Sequence, residues 1–275
     1  MRTQGVKAFA LRVVKVSAEA TDRVRRPDRG VVVLCYHRVD GGSRRQLDLA
    51  RDTFDAQMAA LAAGPGVVTL DAALALLALP VPPPHDPVVV TFDDGTADFA
   101  DHAVPVLERH RVPATLYLAT AFVEERRPMS HDARPLTWAA LKDALSTGLV
   151  TVGSHTHTHR LLDRAPVPVV ADELDRSVGL IGERLGVDAS HFAYPKAVAG
   201  SPDAERAVRS RFRSAALAGT RANPYGRTDR YRLARSPIQV ADGMRWFDAK
   251  TRGGLRLEDD VRRALNRLRY AKATT

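Results

Sequence analysis

The chain has 275 residues, of which 45% are hydrophobic, values typical of one globular α/β domain or two small ones. Its 41 lysine and arginine residues outnumber 32 acidic residues, and the net charge of +9 favours anionic neighbours such as an acidic polymer, nucleic acid or a membrane surface. A single cysteine, Cys35, excludes an intramolecular disulfide. Because we find neither a membrane-spanning apolar run nor a signal-peptide pattern, we expect a cytoplasmic location.

Residues 1–29 predict a basic helix or arm. Apolar residues recur at helical spacing, with arginine or lysine between them; they are Val6, Phe9, Ala10, Val13, Ala20 and Val24. Such a helix packs more often against its own domain than on a membrane, but weak association of the basic termini with an anionic membrane surface stays open. After Pro27, the run from Val31 to His37 predicts a buried strand that ends on an imidazole.

The stretch from Val88 to Gly95 predicts a second buried strand, and it ends at two adjacent carboxylates, Asp93 and Asp94. Parallel α/β sheets bind their ligands beyond the carboxyl ends of the strands, so paired acids at this place indicate site chemistry. The alternative is that one of them caps the following helix. Capping leaves the other acid unexplained. Further along, strands and helices alternate every roughly 30 to 40 residues, which predicts βαβ units and a parallel sheet.

A histidine-rich segment, His155 to His159, follows the next predicted strand, at 149–153. Two imidazoles at i and i+4 reach the same side of a helical turn and can chelate one cation, which favours His155 with His159. His157 with either neighbour would fit an extended chain instead. Asp94 can supply a third ligand, leaving a fourth position for water, and Asp93 would then be free to act as a base.

Three motifs together resemble those of the polysaccharide deacetylase family (carbohydrate esterase family 4) over about residues 31–240. They are Thr91-Phe92-Asp93-Asp94-Gly95, His155-Thr156 with His159, and Phe192-Ala193-Tyr194-Pro195. The resemblance implies a single domain at 30–245, folded as a distorted (β/α) barrel of parallel strands, with flanking helices at 1–29 and 246–275. It also implies metal-dependent removal of acetyl groups from an N-acetylated carbohydrate.

By position in these motifs, Asp93 resembles the catalytic base, and Asp94, His155 and His159 resemble the metal ligands. The expected metal is Zn²⁺, with Co²⁺ or Ni²⁺ as alternatives. The third motif continues as Pro195-Lys196-Ala197 where many members have Pro-Tyr-Gly. We expect the backbone N–H of Lys196 to bind the oxyanion, because a backbone donor survives a side-chain change. Tyr194 and Pro195 are expected to contact the substrate.

The closing strand, Ser236 to Val240, lacks the histidine that serves many members as general acid. Tyr36-His37 matches a branch of the family, the poly-N-acetylglucosamine deacetylases, that carries this acid near the N-terminus. We therefore expect His37 to protonate the leaving amine and Tyr36 to contact the substrate. Arg235 is expected to contact the substrate and to orient Asp93; the alternative is an exposed structural arginine.

We predict a metal-dependent deacetylase that acts on the N-acetyl amide of a polysaccharide, oligosaccharide or glycan precursor. One alternative is a hydrolase of a small-molecule amide or an O-acetyl ester, because the site chemistry hardly distinguishes these substrates. Another is a catalytically silent carbohydrate-binding relative. We expect no nucleic-acid partner, because no aromatic and basic patch accompanies the positive charge.

Overall fold

The computed structural model describes residues 2–64, 66–129 and 133–261, with side chains from residue 12 onward. The helices are α1 (Arg2–Val24), α2 (Arg51–Ala62), α3 (Leu70–Leu77), α4 (Val104–His110), α5 (Thr120–Glu124), α6 (Trp138–Ser146), α7 (Val167–Leu185), α8 (Pro202–Arg211) and α9 (Gly243–Thr251). The strands are β1 (Gly30–Tyr36), β2 (Arg38–Val39), β3 (Asp48–Leu49), β4 (Val88–Phe92), β5 (Ala114–Leu118), β6 (Val150–Ser154), β7 (His191–Ala193), β8 (Ser214–Ala216), β9 (Asn223–Pro224) and β10 (Ser236–Pro237).

The main sheet is parallel and curled, with the order β10-β1-β4-β5-β6-β7-β8, and β9 pairs with β1 in the antiparallel sense. Residues 233–238 connect the two ends of this order, because they bond to β1 and to the segment that continues β8. The Ile238 N–H donates to the Cys35 carbonyl, and the backbone carbonyl of Arg235 accepts from the Gly219 N–H. The predicted distorted barrel of parallel strands is confirmed.

Side chains alternate between two buried layers, as the two-residue period of a strand requires. Val31 and Val33 of β1 belong to an inner cluster shared with β4, β5, β7, β8 and one face of α3. Val32, Leu34 and Tyr36 pack outward against the surrounding helices. Both faces of β1 are therefore buried, which explains its unbroken apolar sequence. Helix α3 contributes Leu70, Ala73 and Leu77 to the inner cluster.

Helix α1 packs on the C-terminal part of the fold, but through a different face from the one expected. Val13 and Val24 are 48% and 91% exposed, whereas Lys15 and Ala18 are fully buried. The Lys15 ammonium lies 2.5 Å from Asp242 and 2.7 Å from Glu258. Among the side chains that the structure describes, from residue 12 onward, an ion cluster rather than an apolar stripe therefore attaches this helix. None of the helices in the described ranges has the length and hydrophobicity to cross a membrane.

The expected C-terminal helix over 246–275 is interrupted. Helix α9 begins at Gly243 and ends at Thr251, and helical structure resumes at 256 after Leu255, which has a φ of 66°. A positive φ at a non-glycine residue is incompatible with a continuous right-handed helix. The remainder of the predicted helix, residues 262–275, lies outside the described residues.

Candidate active site

The two adjacent acids leave the end of β4 in different directions. Asp93 is 5% exposed, and its N–H still bonds to the Tyr36 carbonyl of the neighbouring strand. Asp94 has a φ of 77°, and the chain turns there so that its carboxylate remains a quarter exposed. Gly95 completes the turn with a φ of 98°, and a Cβ there would approach Leu118 to 2.4 Å. The turn thus separates a buried carboxylate from an accessible one.

Asp94, His155 and His159 form a group whose ligand atoms lie within 4.8 Å of one another. Asp94 Oδ1 lies 3.4 Å from His159 Nε2 and 3.7 Å from His155 Nε2. Tetrahedral bonds of about 2.1 Å place such donor atoms about 3.4 Å apart, so the group fits a cation with little rearrangement. The fold therefore brings the three residues chosen from the sequence together as candidate metal ligands.

The surroundings of His155 fix the orientation and the protonation state of its ring. His155 Nδ1 lies 2.7 Å from the carbonyl oxygen of Ala193 on β7, which leaves Nε2 directed at Asp94. A second ring nitrogen bound to a carbonyl is the usual partner arrangement of a ligating imidazole. Burial lowers the pKa of His155 to about 4, so its ring is neutral at pH 7. A neutral ring is the form that binds a metal.

The histidine pair meets through a loop and not through the helical turn that the i and i+4 spacing suggested. Thr156 and His159 both have a φ of 62°, which excludes a right-handed turn. Glu173 of α7 holds this loop, because its carboxylate accepts hydrogen bonds from both the N–H and the hydroxyl of Thr158. His157 turns away, with Nδ1 2.9 Å from the Thr120 hydroxyl. Sequence reasoning identified neither Glu173 nor Thr120.

Arg235 forms a buried pair with Asp93, and the alternative of an exposed structural arginine is wrong. Its side chain is 2% exposed and donates two hydrogen bonds to the carboxylate, at 2.6 and 2.8 Å. The guanidinium also donates to the Thr91 hydroxyl and lies 5.1 Å from the Tyr117 ring centroid. Burial by itself raises the pKa of Asp93, but Arg235, with help from His155, lowers that pKa well below its usual range. Arg235 is therefore placed to orient Asp93, and its burial argues against the predicted contact with substrate.

His37 lies half-buried just beyond β1, on the same side as Asp93. Burial lowers the pKa of His37, but Cys35, Asp94 and Asp93 raise it by more than burial lowers it, and the resulting pKa is about 10. His37 is therefore protonated at neutral pH, as a proton donor must be. The expectation that Tyr36 contacts substrate is wrong. Its side chain is fully buried, and its hydroxyl donates to Gln57 in the outer layer.

The third motif places its side chains differently from the expectation. Tyr194 is 2% exposed and packs edge-on against Phe192 in a core cluster, and Pro195 is buried beside it. Neither side chain therefore lines an open groove, which corrects their assignment to substrate contact. Lys196 is exposed with a φ of 52°, and Ala197, with a φ of 55°, donates its N–H to the Tyr194 carbonyl. The Lys196 side chain thus leaves the core while its backbone turns at the strand end.

A parallel barrel with three candidate metal ligands next to a buried carboxylate at its strand ends has the parts that metal-assisted hydrolysis requires. Residues 81–211 match the model of the family described as polysaccharide deacetylase. The resemblance found in the motifs is confirmed.

Similar proteins agree with this assignment. A poly-beta-1,6-N-acetyl-D-glucosamine N-deacetylase of Staphylococcus aureus is 27% identical over 120 residues. That alignment covers 41% of this chain and 41% of the relative, so the chain spans well under half the length of the curated relatives it matches. The structure of IcaB from Ammonifex degensii has a TM-score of 0.71 and 27% identity, over 82% of this chain and 98% of that one. The deacetylase PplD of Streptococcus pyogenes, at 20% identity, shares the fold with a TM-score of 0.70, over 82% and 99% of the two chains.

Proposed function

We propose that this chain is a metal-dependent deacetylase that hydrolyses the N-acetyl amide of an N-acetylated carbohydrate. The observation that carries the proposal is the separation of the two acids after β4. Asp94 joins the histidine pair, whereas Asp93 is held by Arg235 with Oδ2 3.9 Å from His155 Nε2. A metal ligand and an adjacent ionised base are the two parts that hydrolysis of an amide by water needs. The relatives named for N-deacetylation support the same reaction.

Asp94, His155 and His159 would hold the metal ion. One carboxylate oxygen and two imidazole nitrogens suit Zn²⁺, and also Co²⁺ or Ni²⁺. A divalent ion in such a site supplies Lewis acidity toward a carbonyl oxygen and lowers the pKa of water.

The chain's own residues would perform the proton transfers. Asp93, kept ionised by Arg235, accepts the proton of the attacking water. The Lys196 N–H, at the end of β7, would donate to the oxyanion that develops on the acetyl group. His37 is protonated at neutral pH and would give its proton to the departing amine. Base and acid are thereby drawn from two adjacent strands, β4 and β1.

The first experiment measures acetate release from a panel of N-acetylglucosamine oligomers with and without a chelator, followed by addition of Zn²⁺ or Co²⁺. We expect release that the chelator abolishes and metal restores. Release from O-acetyl esters but not from any N-acetylated oligomer would contradict the proposal and support the ester alternative.

Two variants separate the proposed roles at neighbouring positions. Asp93→Asn should retain the metal and lose about 10²–10⁴-fold in rate, the usual effect of removing a general base. Asp94→Ala should instead lose the metal bound at the triad, because it removes one of its three ligands. Metal content measured on the purified proteins distinguishes the two variants. Full activity of Asp93→Asn would refute the assigned base.

A further inference from the structure

A second group of potential ligands lies beside the metal triad and includes the chain's only cysteine. The Cys35 Sγ lies 3.5 Å from Asp93 Oδ2 and 4.0 Å from His37 Nδ1. The three ligand atoms all lie within 4.8 Å of one another. Cys35 is 5% exposed, Asp93 is equally buried and His37 is half-buried. Asp93 Oδ2 lies 3.9 Å from His155 Nε2, so the group adjoins the triad.

The two distances from the Cys35 sulfur fit a tetrahedral cation. Bonds of about 2.3 Å to sulfur and about 2.1 Å to nitrogen or oxygen place the sulfur about 3.6 Å from the other two donor atoms. The observed separations of 3.5 and 4.0 Å bracket this value. A thiolate, an imidazole and a carboxylate are also ligands that soft and borderline cations prefer over Mg²⁺ or Ca²⁺.

We propose that Cys35, His37 and Asp93 form a second, thiophilic cation site that is filled only after the triad of Asp94, His155 and His159. The order follows from charge. Asp93 already carries two hydrogen bonds from the Arg235 guanidinium, so a cation there must share the carboxylate with a fixed positive charge. His37 is also protonated at neutral pH, so a cation must displace its ring proton before the imidazole can bind. Within the described ranges, no arginine pairs with the triad in this way. The triad therefore binds the first equivalent of metal.

Filling the second site inhibits the enzyme. This consequence rests on the proposed function, because the second cation engages both Asp93 and His37, the assigned base and acid. The activity should rise with the first equivalent of metal and fall as excess Zn²⁺ or Cd²⁺ is added. Binding itself does not depend on the assigned reaction, and so it can be tested separately.

The decisive measurement is a Co²⁺ titration of the reduced, metal-free full chain, followed by absorption spectroscopy. Because Cys35 is the only cysteine in the sequence, any thiolate-to-cobalt charge-transfer band belongs to it. We expect no such band with the first equivalent and its appearance with the second. Cys35→Ser should lose the band and the second equivalent while retaining the first. A band that already develops with the first equivalent, or no band in excess Co²⁺, would overturn the proposal.

A second variant and an activity measurement complete the test. Asp94→Ala removes the triad but keeps the second group, so its first bound Co²⁺ should show the thiolate band, even if Cys35→Ser fails to fold. In the active enzyme, Cys35→Ser should raise the Zn²⁺ concentration for half-inhibition at least about 10-fold, relative to its own maximal rate. An unchanged half-inhibition value would contradict the inhibitory role. A thiolate band in a chain that releases no acetate would instead leave the site intact and reject the proposed reaction.

Discussion

Replacing Arg235 by leucine should make the stability of the fold strongly dependent on pH. The substitution removes the guanidinium that neutralises Asp93 in a site where the carboxylate is 5% exposed. Burial then opposes ionisation with only His155 and His37 to offset it, so the pKa of Asp93 should rise above its usual range. In the unfolded chain the same carboxyl has a pKa of about 3.9. The folded variant therefore holds a proton that the unfolded chain releases.

The size of the effect follows from this difference in bound protons. Each pH unit between the unfolded and the folded pKa lowers the free energy of unfolding of the variant by about 1.4 kcal/mol, which gives at most about 4 kcal/mol at pH 7 and about 1.5 kcal/mol at pH 5. The unmodified chain behaves in the opposite sense. Its Asp93 pKa is depressed, so the stabilisation is present above about pH 4 and is lost only as the pH falls further.

Denaturant unfolding of both chains at pH 5, 6 and 7 measures these free energies. The control is Arg235→Leu combined with Asp93→Asn, which removes the titrating carboxyl. Its free energy of unfolding should not depend on pH in this way, although it loses the same packing of the arginine side chain. If the single variant were destabilised equally at pH 5 and pH 7, Asp93 would not be the group that Arg235 neutralises, and the reasoning about the base would fail.

Three further substitutions test the supports of the site and the fold. Glu173→Gln should weaken metal binding about 10- to 100-fold in a chelator competition, because it loosens the histidine loop. The control is Glu183→Gln, at an exposed position on the same helix. Equal metal affinities of the two variants would show that Glu173 does not support the site. Lys15→Met should lower the free energy of unfolding by about 3–5 kcal/mol, whereas the exposed Arg12→Ala should change it by less than about 0.5 kcal/mol. Gly95→Ala should destabilise by more than about 1 kcal/mol in thermal unfolding, and a neutral result would contradict the strain expected at its positive φ.

The strands and the residues at their ends could be predicted because the signal there is local. A short, unbroken run of β-branched residues is typical of a strand buried on both faces, and a polar group at the end of such a run is visible without any tertiary information. This is how Asp93, Asp94 and His155 were found. What a run of this kind does not show is which of its two buried faces points into the barrel. The resemblance to the family's Tyr-His motif places Tyr36 at the site, but its side chain lies in the outer layer and its neighbour Cys35 occupies the inner position.

Other features depend on contacts between distant parts of the chain. Lys15 is 227 residues from Asp242, and a lysine in a basic helix gives no sign that it will be buried. The pairing of His155 with His159 was predicted from the wrong geometry, because two positive φ values bend the loop until it reproduces the proximity expected of a helical turn. Arg235 is 142 residues from Asp93, and only the closed barrel brings them together.

The closure of the barrel by residues 233–238 has a consequence for the time at which the site becomes competent. The triad residues follow β4 and β6 and lie within the first 159 residues of the chain. The positive charge that keeps Asp93 ionised belongs to Arg235, which is synthesised later. During synthesis from the N-terminus, the nascent polypeptide holds its cation ligands long before its base is neutralised. Until the last strand docks, Asp93 lacks its charge partner. Under the proposed function, Asp93 is therefore prepared as a base only when the sheet is complete.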